Sequence, residues 1–288
     1  MVNKMNVERF INARKALGMS QAELCEGICT QATLSKFESS GRTPAVRILV
    51  QLCARLGLKL DDVFPINQPA KLEVHHILDT AEFKLITSEY ESPLADLDGI
   101  SFDHLSDEGK MQYFFIKGYL TALTDEPISD SLYYFNMILN DLDNEHRTIY
   151  SQLAYTGSGV AYSRNNENEK AEFYFQKVFD DLQKLLLNSN KAIWRALNMI
   201  YYTAEYYNRI GDYKTSDGLL NYGYDVCSDK RVTYYIAKIC FLRAQNLKAR
   251  NGDEAQIIEE LNDAKAFSRL NHNYKLIEKI ESFEEQSV

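Results

Sequence analysis

Residues 20–44 read Ser20-Gln-Ala-Glu-Leu-Cys-Glu-Gly-Ile-Cys-Thr-Gln-Ala-Thr-Leu-Ser-Lys-Phe-Glu-Ser-Ser-Gly-Arg-Thr-Pro44. Ser20 with Glu23 is a capping box: the hydroxyl takes the backbone N–H three residues on, and the carboxylate reaches back. A helix therefore starts at Gln21 and turns Leu24, Cys25 and Ile28 inward. Thr30 caps the next helix, whose inward residues are Leu34 and Phe37. Gly41-Arg-Thr-Pro44 is a loop ending in a proline suited to a helix start. Working outward, Val7, Phe10, Ile11 and Leu17 recur at helical spacing until Gly18 ends that helix. Beyond the loop, Ile48, Leu49, Leu52, Cys53 and Leu56 mark a fourth helix ended by Gly57, and Leu60-Asp-Asp-Val-Phe64 a short fifth.

Pro65-Ile-Asn-Gln-Pro69-Ala carries two of the five prolines, and proline disfavours helix in the residue before it. The expected organisation is one domain over 1–66, a linker over 67–70 and a second domain over 71–288. The net charge of −9 divides unevenly between them. Residues 1–66 hold nine Lys/Arg and six acids, a net +3; the remainder holds 23 basic and 35 acidic residues, a net −12. An acidic body is repelled by phosphate, so only the small part is suited to nucleic acid.

Composition narrows the class. No run approaches the roughly 18 apolar residues of a membrane span. Polar residues come early (Asn3, Lys4, Asn6, Glu8, Arg9), unlike a secretory signal, so a cytoplasmic protein without a membrane partner is expected. The five cysteines have no paired-knuckle spacing, and Cys25, Cys29 and Cys53 have no nearby His, so no metal site is expected and buried thiols are. The five His lie at 75, 76, 104, 146 and 272 outside any metal-ligand frame. No phosphate-cradling glycine loop or nucleophile elbow occurs, so neither a cofactor nor catalysis is expected.

After the linker the pattern is helical throughout, which calls for a search for repeats. Gly159, Tyr162, Ala171 and Phe175 form one copy of a two-helix unit. Ala204, Tyr207, Gly211, Ser216 and Leu220 form another, with its turn at Gly211-Asp-Tyr213. Ala244, Leu247, Ile257, Leu261 and Ala264 form a third, turning at Asn251-Gly-Asp253. A weaker copy has Gly118 and Tyr134, with a turn near Asp125-Glu-Pro127. The small residues 118, 159, 204 and 244 are 41, 45 and 40 apart. That exceeds the about 34 of a tetratricopeptide repeat, so the helices are longer. Residues 71–98 suit a degenerate first pair and 272–285 a terminal capping helix. The expected fold is all-α: a five-helix N-terminal domain and a right-handed tetratricopeptide-like array.

With capping box, short turn, Leu–Phe spacing and Gly-x-x-Pro loop in one frame, residues 7–64 resemble the XRE/Cro type of helix-turn-helix domain. Ser20-Gln-Ala-Glu-Leu24 and Leu34-Ser-Lys-Phe-Glu38 carry the resemblance. In such a domain the helix after Thr30 lies in the major groove of DNA with its first residues at base edges. Gln31, Ala32, Thr33, Ser35 and Lys36 then face outward. Gln bonds adenine in two places, the Ala and Thr methyls meet a thymine methyl, and Lys takes guanine or phosphate. Ser20, Gln21 and Thr30 at helix starts, and Arg42 and Thr43 in the loop, suit phosphate.

The whole chain resembles the Rgg/PlcR/PrgX (RRNPP) family of peptide-responsive regulators. The turn Ile28-Cys-Thr-Gln31 is one residue short, as in the PlcR branch. The resemblance implies a homodimer on a palindromic operator in double-stranded DNA, switched by a short signalling peptide in quorum sensing. In such an array the first helix of each pair lines the concave face. Helical spacing about the small residues then picks Gln112, Phe115 and Tyr119; Thr156, Val160 and Ser163; Asn198, Tyr201, Glu205 and Asn208; and Lys238, Phe241, Gln245 and Lys248. Their aromatics supply pockets, their amides suit an extended backbone, and Lys238 or Lys248 suits a carboxylate. The family tends to carry Asn at the central inward positions, where this chain has Thr156 and Tyr201. The alternative is a constitutive repressor whose repeats serve dimerisation or a protein partner.

Overall fold

Local capping decides where the first helices begin and end. α1 (Val7–Ala16) gives way to Gly18, at a φ of +67° that disfavours a β-carbon. α2 (Gln21–Cys25) opens on the capping box: Ser20 Oγ accepts from Glu23 N at 3.2 Å, and Ser20 N donates to Glu23 Oε2 at 2.7 Å. α3 (Gln31–Ser40) opens on Thr30, whose Oγ1 accepts from Thr33 N at 3.3 Å. α4 is Val46–Arg55. Phe10, Leu24, Leu34, Phe37, Leu49 and Leu52 are buried together. The Phe10 and Phe37 rings meet edge to face at 5.0 Å. Leu17 corrects the sequence pattern: Ala16 is the last helical residue, and Leu17, one beyond it, is exposed.

A computed structural model describes residues 7–58, 63, 69–88, 91–102, 105–124 and 126–285. The expected fifth helix lies outside the described residues except for Val63, which is buried in the same core. The chain divides into two compact units, Met1–Glu73 and Val74–Val288. Of the expected linker, 67–68 lie outside the described residues, whereas Pro69 and Ala70 already belong to α5 (Pro69–Ile86). The physical reason is that a proline at a helix start removes an N–H with no partner there anyway.

The second unit continues through α6 (Glu91–Asp98) into four antiparallel pairs: α7 (Asp107–Leu123) with α8 (Ile128–Asn136), α9 (Ile149–Arg164) with α10 (Asn168–Phe179), α11 (Asn190–Arg209) with α12 (Tyr213–Lys230), and α13 (Ile236–Ala249) with α14 (Glu254–Leu270). The first helices adjoin one another in order, α7 to α9 to α11 to α13. Small residues let each pair close. A β-carbon on Gly118 would stand 2.6 Å from Phe135, and one on Gly159 2.8 Å from Phe175. Ala204 and Ala244 are fully buried at the same place in the later pairs. In the first pair the slot is filled by Phe135, one residue beyond the expected Tyr134, which instead stacks on Phe114 at 6.2 Å. α8 runs on into a π-helical turn, Met137–Leu142. α15 (Tyr274–Glu285) closes the last pair with Leu276 and Ile280 buried and Phe283 edge-on to Phe241 at 5.6 Å. Every regular element among the described residues is helical.

Candidate nucleic-acid interface and ligand groove

The outward face of α3 is as the spacing predicts. Leu34 and Phe37 are buried; Gln31, Ala32 and Lys36 are exposed, and Thr33 and Ser35 are half-buried. Ser20 and Thr30 use their hydroxyls as caps, which leaves their exposed helix starts to offer backbone rather than side chain. Arg42 and Thr43 are exposed in the following loop. One relay fixes this face. Arg14 donates from Nε and Nη2 to the two oxygens of Glu38 at 2.7 and 2.9 Å. Gln21 Nε2 donates to Glu38 Oε2 at 2.8 Å, and Gln31 Nε2 donates to Gln21 Oε1 at 3.2 Å. Burial alone would raise the Glu38 carboxyl; hydrogen bonds from Arg14 and Gln21 hold it below the usual carboxylate range. Each link restricts the rotamers of the next, so Gln31 is presented with part of its ordering entropy already lost.

Sequence reasoning missed Arg14, Glu38 and Arg55. Arg55 Nη1 donates to the carbonyls of Leu24 and Glu26 at 3.0 and 2.6 Å, a cation on the open carbonyls at the end of α2. No periodicity marks such residues, because their partners are 24 to 31 positions away. The thiols are as expected: Cys25, Cys53, Cys227 and Cys240 are buried and Cys29 half-buried, and none of the five is in a disulfide. Burial pushes the Cys25 thiol up to about 12. No group of metal-ligating residues occurs among the described residues. No helix among them is long and apolar enough to cross a membrane.

In the second unit, the positions picked for a groove lie along the first helices but are less open than expected. Gln112, Phe115, Tyr119, Thr156, Val160, Ser163, Asn198, Lys238 and Phe241 are buried; Tyr201, Glu205, Asn208, Gln245 and Lys248 are half-buried. At Gln112 and Lys238 the reason is α5, which they meet through Asp79, Glu82 and the Leu85 carbonyl, whereas Phe115 and Tyr119 pack on Tyr150, Phe135 and Tyr202. Glu82 of α5 receives Arg195 Nε and Nη2 at 2.6 and 2.9 Å, Trp194 Nε1 at 3.0 Å and Gln112 Nε2 at 2.7 Å. Asp79 receives Lys191 at 2.5 Å and Gln112 at 2.8 Å. Phe83 meets Trp194 and Tyr234 edge-on, and Lys238 Nζ donates to the Leu85 carbonyl at 3.3 Å. Glu82 is 2% exposed and Arg195 5%. Arg195 also donates to Tyr150 Oη at 3.0 Å.

Two clefts open onto the first helices. Val160, Ser163, Tyr202, Glu205, Tyr206 and Arg209 line a cleft of about 190 Å³. Phe241 and Gln245 line another with Lys279 and Phe283 of α15. Asn198 Nδ2 donates to Tyr235 Oη at 3.0 Å, while Asn198 Oδ1 accepts nothing among the described residues. Tyr201 donates to Glu205, and Asn208 to Asn246. Carried one helical turn further back, the register of the small residues gives Gly109, Tyr150, Arg195 and Tyr235, so the missed Arg195 was within reach of the spacing. Glu82 also left a trace: it sits between Leu78, Ala81 and Leu85 on the buried stripe of α5, where a carboxylate requires a partner.

With this geometry in hand, comparisons place both units. The helix-turn-helix family matches residues 11–63. No curated protein sequence matches the chain. Solved structures match along nearly its whole length. PlcR of Bacillus thuringiensis in complex with the peptide PapR7 and DNA is 16% identical, with a TM-score of 0.68 over 95% of this chain and 98% of that one. ComR of S. thermophilus with DNA and its signalling peptide ComS is 16% identical, with a TM-score of 0.63 over 96% and 97%. ComR of Streptococcus vestibularis with its signalling peptide XIP is 18% identical, with a TM-score of 0.58 over 96% of each chain. The chain thus carries a helix-turn-helix domain and shares its overall fold, a helical repeat region included, with these regulators.

Proposed function

We propose that this protein is a transcription regulator that binds a palindromic operator as a homodimer and is switched by a short peptide held on the first-helix face of its repeats. The observation that carries the reading is the outward face of α3, fixed by the Arg14–Glu38–Gln21–Gln31 relay on a helix-turn-helix frame. Gln31, Ala32 and Thr33 read bases; Gln21, Lys36, Arg42, Thr43 and the helix starts at Ser20 and Thr30 hold phosphates. One small head contacts about half an operator, so two-fold pairing supplies the affinity that a net +3 does not. The domains at work are 1–66 on DNA and 71–288 on peptide and partner subunit, acting in the cytoplasm.

For the peptide, Asn198 Oδ1 is a buried acceptor still to be matched, which suits a ligand backbone N–H. Tyr202, Tyr206 and Val160 offer apolar surface in the adjoining cleft. A peptide alters DNA binding only as far as it binds one arrangement of the chain better than another. The test is operator affinity of the full chain, by fluorescence anisotropy, with and without short peptides encoded beside its gene. A shift of about fivefold or more with one peptide is expected, the usual range of such coupling.

One observation favours a second reading. The face is already occupied by α5 through Glu82, Asp79 and Phe83. A face filled for good by the chain itself is what a constitutive repressor would carry. Operator binding that no peptide alters would favour it.

A further inference from the structure

The contacts of α5 have a chemical pattern of their own. Glu82 is held by Arg195 in a two-point fork, by an indole N–H and by a side-chain amide. Arg195 is itself set by Tyr150, whose Oη accepts from Nη2 at 3.0 Å, with the guanidinium carbon 4.6 Å from the Tyr150 ring centroid. This is a complete carboxylate receptor: planar donors converge on two oxygens in a site closed to water. Its present occupant is a side chain from a helix 113 positions earlier in the chain.

A buried Arg–carboxylate pair stabilises a fold little more than an apolar pair of similar size would, because desolvation offsets the attraction. The rest of α5 packs here by Leu78, Ala81 and Leu85, so an apolar residue at 82 would continue the stripe. Glu82 is therefore a poor choice for holding α5 down and a good one for an exchangeable contact. An incoming carboxylate can supply the same fork, so the exchange leaves no buried charge unpaired.

Resting on the peptide reading above, we propose that Arg195, with Trp194, Gln112 and Tyr150, is a receptor for a ligand carboxylate, and that Glu82 is a built-in stand-in displaced when that carboxylate binds. Displacement frees α5, the helix through which the first unit is joined in sequence to the repeats. A freed helix becomes a tether of different length and stiffness.

The experiment uses the full chain. In Glu82→Gln, hydrogen exchange of amides in 74–85 is expected to quicken about ten- to a hundredfold, the factor for losing a charged hydrogen-bonded pair, with α14 and α15 unchanged. Exchange in 74–85 equal to that of the parent would overturn the proposal. In Glu82→Ala, propionate is expected to raise Tm where propionamide at matched ionic strength does not, and Glu82→Ala/Arg195→Met is expected to lose the effect. Equal responses to propionate and propionamide would also overturn it. Finally, a mixture of synthetic heptapeptides with free C-termini is compared with the same mixture amidated, reading exchange of α5 in the parent. Release by the free form alone assigns the C-terminal carboxylate; release by both assigns acidic side chains. Propionate rescue with release by neither keeps the receptor and counts against the peptide reading.

Discussion

At the scale of single residues, Gln31 and Lys36 separate two kinds of contact. Both are exposed on α3, but of the two it is Gln31 whose side chain is held in place, by Gln21. Gln31→Ala is expected to lose about 1–3 kcal/mol of discrimination at one base pair, measured by competition between operator variants. Lys36→Ala is expected to weaken all sequences alike and to reduce the salt slope of binding by about one. An unchanged base preference in Gln31→Ala would put the reading on another face. Asp143 tests a structural role. It accepts from Arg147 N, Thr148 N, Thr148 Oγ1 and Ser151 Oγ at 2.6–3.0 Å, tying the end of the π-helical turn to the start of α9. Burial would raise its carboxyl, and these hydrogen bonds hold it below the usual range. A lowered carboxyl contributes stability that is complete above the ordinary value of about 3.9 and is lost as pH falls through the lowered one. Asp143→Asn is therefore expected to cost about 1–3 kcal/mol in urea unfolding at pH 7. The gap to the parent should narrow toward pH 3.

At the scale of elements, the repeat rests on close approach within each pair. Gly118 faces Phe135 and Gly159 faces Phe175, both at distances that leave no room for a methyl group. Gly118→Ala or Gly159→Ala is expected to destabilise by about 1–3 kcal/mol through overpacking. Gly218, on the exposed side of α12, is the counter-case: a β-carbon there would meet nothing within 4 Å. There alanine restores helix propensity, and Gly218→Ala is expected to stabilise by up to about 1 kcal/mol. The same thermal unfolding series reads both signs; equal effects at 118 and 218 would mean that propensity, not packing, governs the pairs. The first pair also shows how an element escapes its pattern. Tyr134 and Phe135 are adjacent aromatics, and either satisfies the spacing within a residue. Only the packed pair decides that Phe135 enters the slot.

At the scale of the whole molecule, charge and symmetry set the terms of DNA binding. A head of +3 on a chain of −9 has little electrostatic reach of its own. Paired heads on a palindrome make operator geometry a measurable constraint. Inserting about 5 base pairs between half-sites turns one of them to the opposite side of the duplex, and inserting about 10 restores the side. Operator affinity is expected to fall at least about tenfold for the first and to recover in part for the second. Equal affinity for all three spacings would rule out a rigidly paired dimer. A ligand that releases α5 should soften that dependence, since a longer tether tolerates more spacings.

The sequence by itself determined the helices, because their signals are local. A Ser20–Glu23 box, a Thr30 cap, Gly18 and Gly41 at the ends, and small residues about forty apart act within a few turns. It determined the outward face of α3 for the same reason, since Leu34 and Phe37 fix which way the helix turns. It also placed the first-helix positions, though as an open groove. Tertiary structure alone decided what fills that face and what fixes the reading helix. Glu82 meets Arg195 across 113 residues, and Arg14 meets Glu38 across 24. Such contacts follow from where whole helices pack, and a buried charge finds its partner only after the packing has brought the two together.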